Sequence, residues 1–132
     1  MMKNTNIRLF VKKTLGCECP EEVFEYIDCQ NEIKINNMVS LKNKINIGNR
    51  LLIYVLDTDD PNFLKGNLSK LILIGKRERD LSGFNRLRVV VVTDKVNEIK
   101  NIAETIFRTL KGRDEKVHLH IVQRKEYQRL LI

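Results

Sequence analysis

A chain of 132 residues, 42% hydrophobic and 31% charged, is long enough to bury one core and too apolar to be a disordered tail. Its longest apolar run, Leu51–Leu56, falls far short of the roughly 20 residues a bilayer span needs. The polar start MMKNTNIRLF lacks the apolar core and cleavage site of a secretory signal, so the expectation is one cytoplasmic domain over 1–132 with no membrane partner. A net charge of +7 favours anionic partners through long-range attraction.

In chain order, Ile7, Leu9 and Val11 alternate with Arg8, Phe10 and Lys12, a period of two that predicts a strand. Leu15-Gly16 marks a turn. Pro20 then opens a helix to about Asp28, with Glu21 and Glu22 where the helix dipole favours acids. Val23, Phe24 and Ile27 form its apolar stripe. Ile33 and Ile35 suggest a short strand, as do Ile45 and Ile47, and Gly48-Asn49 turns the latter into Leu51–Leu56 as a hairpin.

Leu51–Leu56 is continuously apolar, as a strand covered on both faces should be. Asp60 is a natural N-cap before Pro61, and Phe63, Leu64, Leu68, Leu71 and Ile72 recur at helical spacing. That helix should fade between Gly75 and Asp80, with a loop at Ser82-Gly83. Leu87–Thr93 is a second buried strand. Asp94 should cap a helix whose core face runs through Val96, Ile99, Ile102, Ala103, Ile106, Phe107 and Leu110 and which Gly112 ends. Val117, Leu119 and Ile121 alternate with His118 and His120 in a last strand, and the tail from Lys125 has room for one helical turn or two.

Strands alternating with helices imply an α/β sandwich, with a largely parallel central sheet, helices on both faces and a hairpin strand. In such sheets ligands collect at the carboxyl ends of the strands. Three junctions should therefore meet there: Thr14–Pro20, Asp57–Pro61 and Thr93–Lys95.

The first junction holds Cys17-Glu18-Cys19-Pro20. With Cys19 at the N-cap position, unpaired backbone N–H groups would favour a thiolate, the form that attacks disulfides and binds metals. Glu18, Glu21 and Glu22 oppose that ionisation. Cys17 and Cys19 are the candidate catalytic pair, whereas Cys29 reads as a small buried hydrophobe. An odd number of cysteines, two of them one residue apart, does not fit a secreted disulfide framework. The pair resembles, in its placement between a strand and a helix, the redox cysteines of thioredoxin-like proteins. One residue separates the sulfurs here where that family has two, and no second proline near the site matches its cis-proline. The implied fold is loosely thioredoxin-like or Rossmann-like.

The same thiols with His118 and His120 offer a metal-thiolate alternative, for which zinc or iron is the expected ion. At the other junctions, Asp57, Asp59 and Asp94 could hold Mg²⁺ for phosphate chemistry, and a DxD after a buried strand resembles the metal-binding element of toprim domains. A third candidate is the basic region 76–88. There Arg77, Arg79, Arg86 and Arg88 would grip phosphates while Phe84 stacks on a base, making a non-enzymatic module for nucleic acid or an acidic protein. The apolar tail Leu130-Leu131-Ile132 is a further candidate contact for a protein partner. Beside each stands a structural alternative: ordinary packing for the cysteines and the tail, helix caps for Asp60 and Asp94, and a solvated helix end for the basic stretch.

Overall fold

A computed structural model describes residues 3–111 and 114–131. Five strands, β1 (Ile27–Lys34), β2 (Ser40–Ile47), β3 (Leu51–Asp57), β4 (Arg86–Thr93) and β5 (Val117–Gln123), form one open mixed sheet in that spatial order. β1, β2 and β3 pair antiparallel, and β3, β4 and β5 pair parallel. Only β2 therefore runs against the others, and an α/β architecture with parallel central strands is what the sequence led us to expect.

Helices cover both faces. On one, Leu64, Leu68, Leu71 and Ile72 of α2 (Pro61–Ser82) and Ile99 and Ala103 of α3 (Val96–Lys111) pack on Leu52, Tyr54, Leu87, Val89 and Val91. On the other, α1 (Asn4–Leu9) and a π-turn, Phe10–Thr14, bring Ile7, Phe10 and Val11 onto Ile45, Ile53, Val55, Val90 and Val92. Tyr127 of α4 (Arg124–Gln128) closes this layer, its ring edge-on to Phe10 with centroids 5.3 Å apart.

The N-terminal segment corrects two expectations. Residues 7–11 are helical: Ile7, Phe10 and Val11 are buried at i, i+3 and i+4, while Leu9, which had to be buried in the strand reading, is 47% exposed. The segment after Pro20 is one 3₁₀ turn, Glu21–Glu25, and Ile27 already belongs to β1. Hydrogen bonding of Ile27–Lys34 to β2 wins over a short helix with only three apolar residues to bury. The strand–cysteine–helix placement is therefore absent.

The hairpin is as expected. Gly48 and Asn49 have φ of +61° and +56°, the positive pair that a tight turn between right-twisted strands demands. Gly48 has a second role, because a Cβ there would lie 2.6 Å from the Val23 carbonyl oxygen. That close approach, with the Gly48 N–H donating to the Tyr26 carbonyl at 2.7 Å, seats the cysteine-bearing segment against the end of the sheet.

α2 starts at the Asp60 cap, whose carboxylate accepts the Asn62 N–H at 2.9 Å, and runs on to Ser82, past the expected fading point. Lys76–Asp80 is thus helix rather than loop. Asp94 does not cap α3; the hydroxyl of Thr93 accepts the Lys95 N–H at 3.1 Å. α4 and a final 3₁₀ turn, Arg129–Leu131, make up the tail, and Leu130 packs on the core. Gly112, Ile132 and the side chain of Leu131 lie outside the described residues.

Candidate functional site

Because β3, β4 and β5 are parallel, their first residues share one end of the sheet. The chain leaving the π-turn crosses that end: the Cys17 N–H donates to the Val11 carbonyl at 3.0 Å, and Gly16 takes a φ of +67°. Between this crossing segment and the strand ends lies a cleft of about 500 Å³, lined by Cys17, Cys19, Arg50, Arg86, Arg88 and His118 among others. Cys17 and Cys19 are joined in a disulfide, with their Cα atoms 5.3 Å apart. Both are half-buried against the core beside Leu15.

Register explains the company they keep. Arg88 pairs with His118, and Val90 with His120, and residues paired across a parallel ladder point to the same side of the sheet. Arg86, Arg88, His118 and His120 therefore all lie on the face that the cysteine segment crosses. A metal site of the two thiols with His118 and His120 needs the first strand beside β5, and no strand precedes β1 among the described residues. The crossing segment lies there instead, and brings Cys17 and Cys19 into the cleft that His118 lines.

Arg88 is the unusual group. It is 8% exposed, and one terminal nitrogen, Nη1, donates to the Leu15 carbonyl at 2.8 Å and approaches His120 Nε2 at 2.8 Å. Its Nε is buried with no hydrogen-bond partner, and among the described residues no carboxylate pairs with it. Burial, and next the charge of Arg86, pull its pKa below the usual arginine value. A guanidinium only donates, so His120 Nε2 must accept. Burial first, then Arg88 and His118, push the His120 pKa down to about 4, keeping the ring neutral.

At the opposite, carboxyl end, three carboxylates meet one cation. Arg124 reaches Asp57 at 2.5 Å, Asp59 at 2.9 Å and Asp94 at 2.5 Å. Asp59 also accepts from the Thr93 hydroxyl and the Asp94 N–H, each at 2.8 Å. The Arg124 hydrogen bond, then these two, hold its carboxyl well below the usual range. The three carboxylates that the sequence offered as a possible Mg²⁺ cluster hold a guanidinium. Nothing in the tail pointed to Arg124; its one signal is position, the first residue after the last strand.

The three junctions therefore do not converge. Asp57, Asp59 and Asp94 share the carboxyl end, and Cys17 and Cys19 lie at the amino end. The basic region also divides. Arg79, buried on α2, is held bidentate by Asp114 at 3.0 and 2.8 Å and by Asp80 at 3.0 Å. Arg77 is exposed on the same helix, which packs on the far face. Arg86 and Arg88 alone reach the cleft, joined there by Arg50, which the sequence reading passed over although it directly precedes β3. Cys29, placed near a helix end by the sequence, is on β1, with the Asn43 amide 3.7 Å from its sulfur.

Among the described residues no group of three or more His, Cys, Asp or Glu side chains is arranged to hold a metal ion. Nor is any helix among them long and apolar enough to cross a membrane. No family model, no curated protein and no solved structure matches this chain.

Proposed function

We propose that the protein performs thiol–disulfide exchange through Cys17 and Cys19. The observation that carries this reading is that the two sulfurs are paired at a cleft lined by three arginines instead of inside the core. In the exchange, a partner thiolate attacks one sulfur of the pair, forms a mixed disulfide and releases the other as a thiolate. A second partner thiol resolves that bond. The partner leaves as a disulfide, and two electrons and two protons remain as the Cys17 and Cys19 thiols. Positive charge beside the leaving sulfur stabilises it as a thiolate and speeds the step. Arg50, Arg86 and Arg88 supply this in place of a helix N-terminus.

Equilibration of the protein with reduced and oxidised glutathione, followed by alkylation and mass measurement, tests this. The expected result is a two-electron transition in which Cys17 and Cys19 gain or lose alkylation together while Cys29 is unaffected. Three thiols alkylated independently at every ratio would refute it. His118 lines the same cleft, so zinc offered to the reduced protein tests the metal-thiolate alternative. One equivalent of zinc held until Cys17 and Cys19 are changed to serine would replace exchange with metal binding.

A further inference from the structure

We infer that the cleft is also a binding site for the phosphate group of a small molecule, with Arg88 as its anchor. Burying an unpaired guanidinium is costly, because little water is left to solvate it and no counter-charge replaces that water. Arg79 shows how this chain otherwise meets that cost, with a bidentate carboxylate. Arg88 has one carbonyl oxygen, one neutral imidazole and an unpartnered Nε. An oxyanion entering the cleft that Arg88 lines supplies the absent counter-charge.

Charge and shape narrow the ligand. The cleft lining carries Arg50, Arg86 and Arg88 against a single acid, Glu18, which is three positive charges less one, or +2. That suits a dianion such as a phosphate monoester. The volume of about 500 Å³ lies within the roughly 300–1,000 Å³ of small-molecule sites. Depth separates a small ligand from a polynucleotide. The backbone phosphates of a polynucleotide would meet the exposed Arg50 and Arg86 but not Arg88, which lies beneath the cysteine segment. The site does not rest on the exchange chemistry, since binding is read in the oxidised protein whatever partner thiols do.

The test is thermal melting of the oxidised protein at constant ionic strength, titrated with inorganic phosphate, glycerol 3-phosphate or a short single-stranded oligonucleotide, with chloride as control. Both small phosphates should raise the melting temperature by roughly 5 °C near saturation, and Arg88→Met should abolish the rise. Arg50→Gln and Arg86→Gln, at exposed positions where folding is insensitive, should each weaken phosphate binding roughly tenfold and decide the matter if Arg88→Met does not fold. A wild-type melting temperature that ignores both phosphates overturns the proposal. So does binding unchanged in Arg88→Met. A response to the oligonucleotide alone, lost with Arg50 and Arg86 but kept without Arg88, replaces it with surface binding of a polyanion.

Discussion

The two ends of the sheet carry opposite charge and are finished in opposite ways. At the carboxyl end three aspartates surround Arg124 and satisfy it. At the amino end three arginines line a cleft with one exposed acid, and the most buried of them has no counter-charge among the described residues. The end where α/β sheets usually take their ligands is closed by its own ion pairs here. The open, uncompensated end lies beneath the cysteine pair, and a charge left unanswered inside the fold is the better guide to where something else binds.

The sharpest way to probe this contrast is to give a compensated arginine the condition of Arg88. Asp80→Ala/Asp114→Ala, which removes both carboxylates from Arg79, should strand its guanidinium and cost about 3 kcal/mol of stability in urea denaturation. Arg88→Met, without phosphate, should cost nothing or gain stability, because an apolar chain replaces an unpaired charge. Equal losses in the two variants would erase the distinction between them.

Arg124→Ser should cost about 2 kcal/mol, less than the double Asp80 and Asp114 change because all three aspartates keep some water. The variant leaves three facing carboxylates, so added Ca²⁺ should restore part of its melting temperature and leave the wild type unmoved. An Arg124→Ser protein as stable as the wild type would show that the carboxyl end is not held by these pairs.

His120 gives a smaller, pH-dependent effect. Its folded pKa of about 4 lies below the unfolded value of 6.5, so the unfolded chain binds the extra proton in between. Its stabilisation is complete above about pH 6.5, falls as pH drops from 6.5 towards 4, and levels off below that. The full shift corresponds to about 3 kcal/mol, reduced to about 1 kcal/mol by the solvent that still reaches the ring. Stability measured from pH 7 to 4 should lose this slope in His120→Gln, and an unchanged slope would assign it to other groups.

Much of the fold could be read from residue patterns because its elements are locally determined. The apolar runs of β3 and β4, the Gly48-Asn49 turn and the Asp60-Pro61 start of α2 each follow from a few neighbouring residues. The N-terminal segment was misread because Ile7–Val11 fits both periods, and only the outward position of Leu9 separates them. Cys17 and Cys19 could be named as candidates from their spacing, but not placed, since which end of the sheet their segment crosses depends on contacts distant in sequence. Arg88 looked like one of four similar basic residues. What distinguishes it is that β5 and the crossing segment offer it a neutral imidazole and a carbonyl but no carboxylate, and no local pattern records that.

Thiol–disulfide exchange as proposed depends on the amino-end arginines acting on the cysteine pair. That dependence is tested most directly by the pH dependence of alkylation in the fully reduced protein, followed residue by residue. Cys17 and Cys19 should react with a midpoint below the ordinary thiol value of about 8.5. The Arg50→Gln/Arg86→Gln double variant should move that midpoint up. Cys29, whose thiol burial and then Asp28 push up, should react last in both proteins. If Cys17 and Cys19 titrate at or above Cys29, or ignore the loss of both arginines, the cleft does not activate them and the exchange as proposed is wrong.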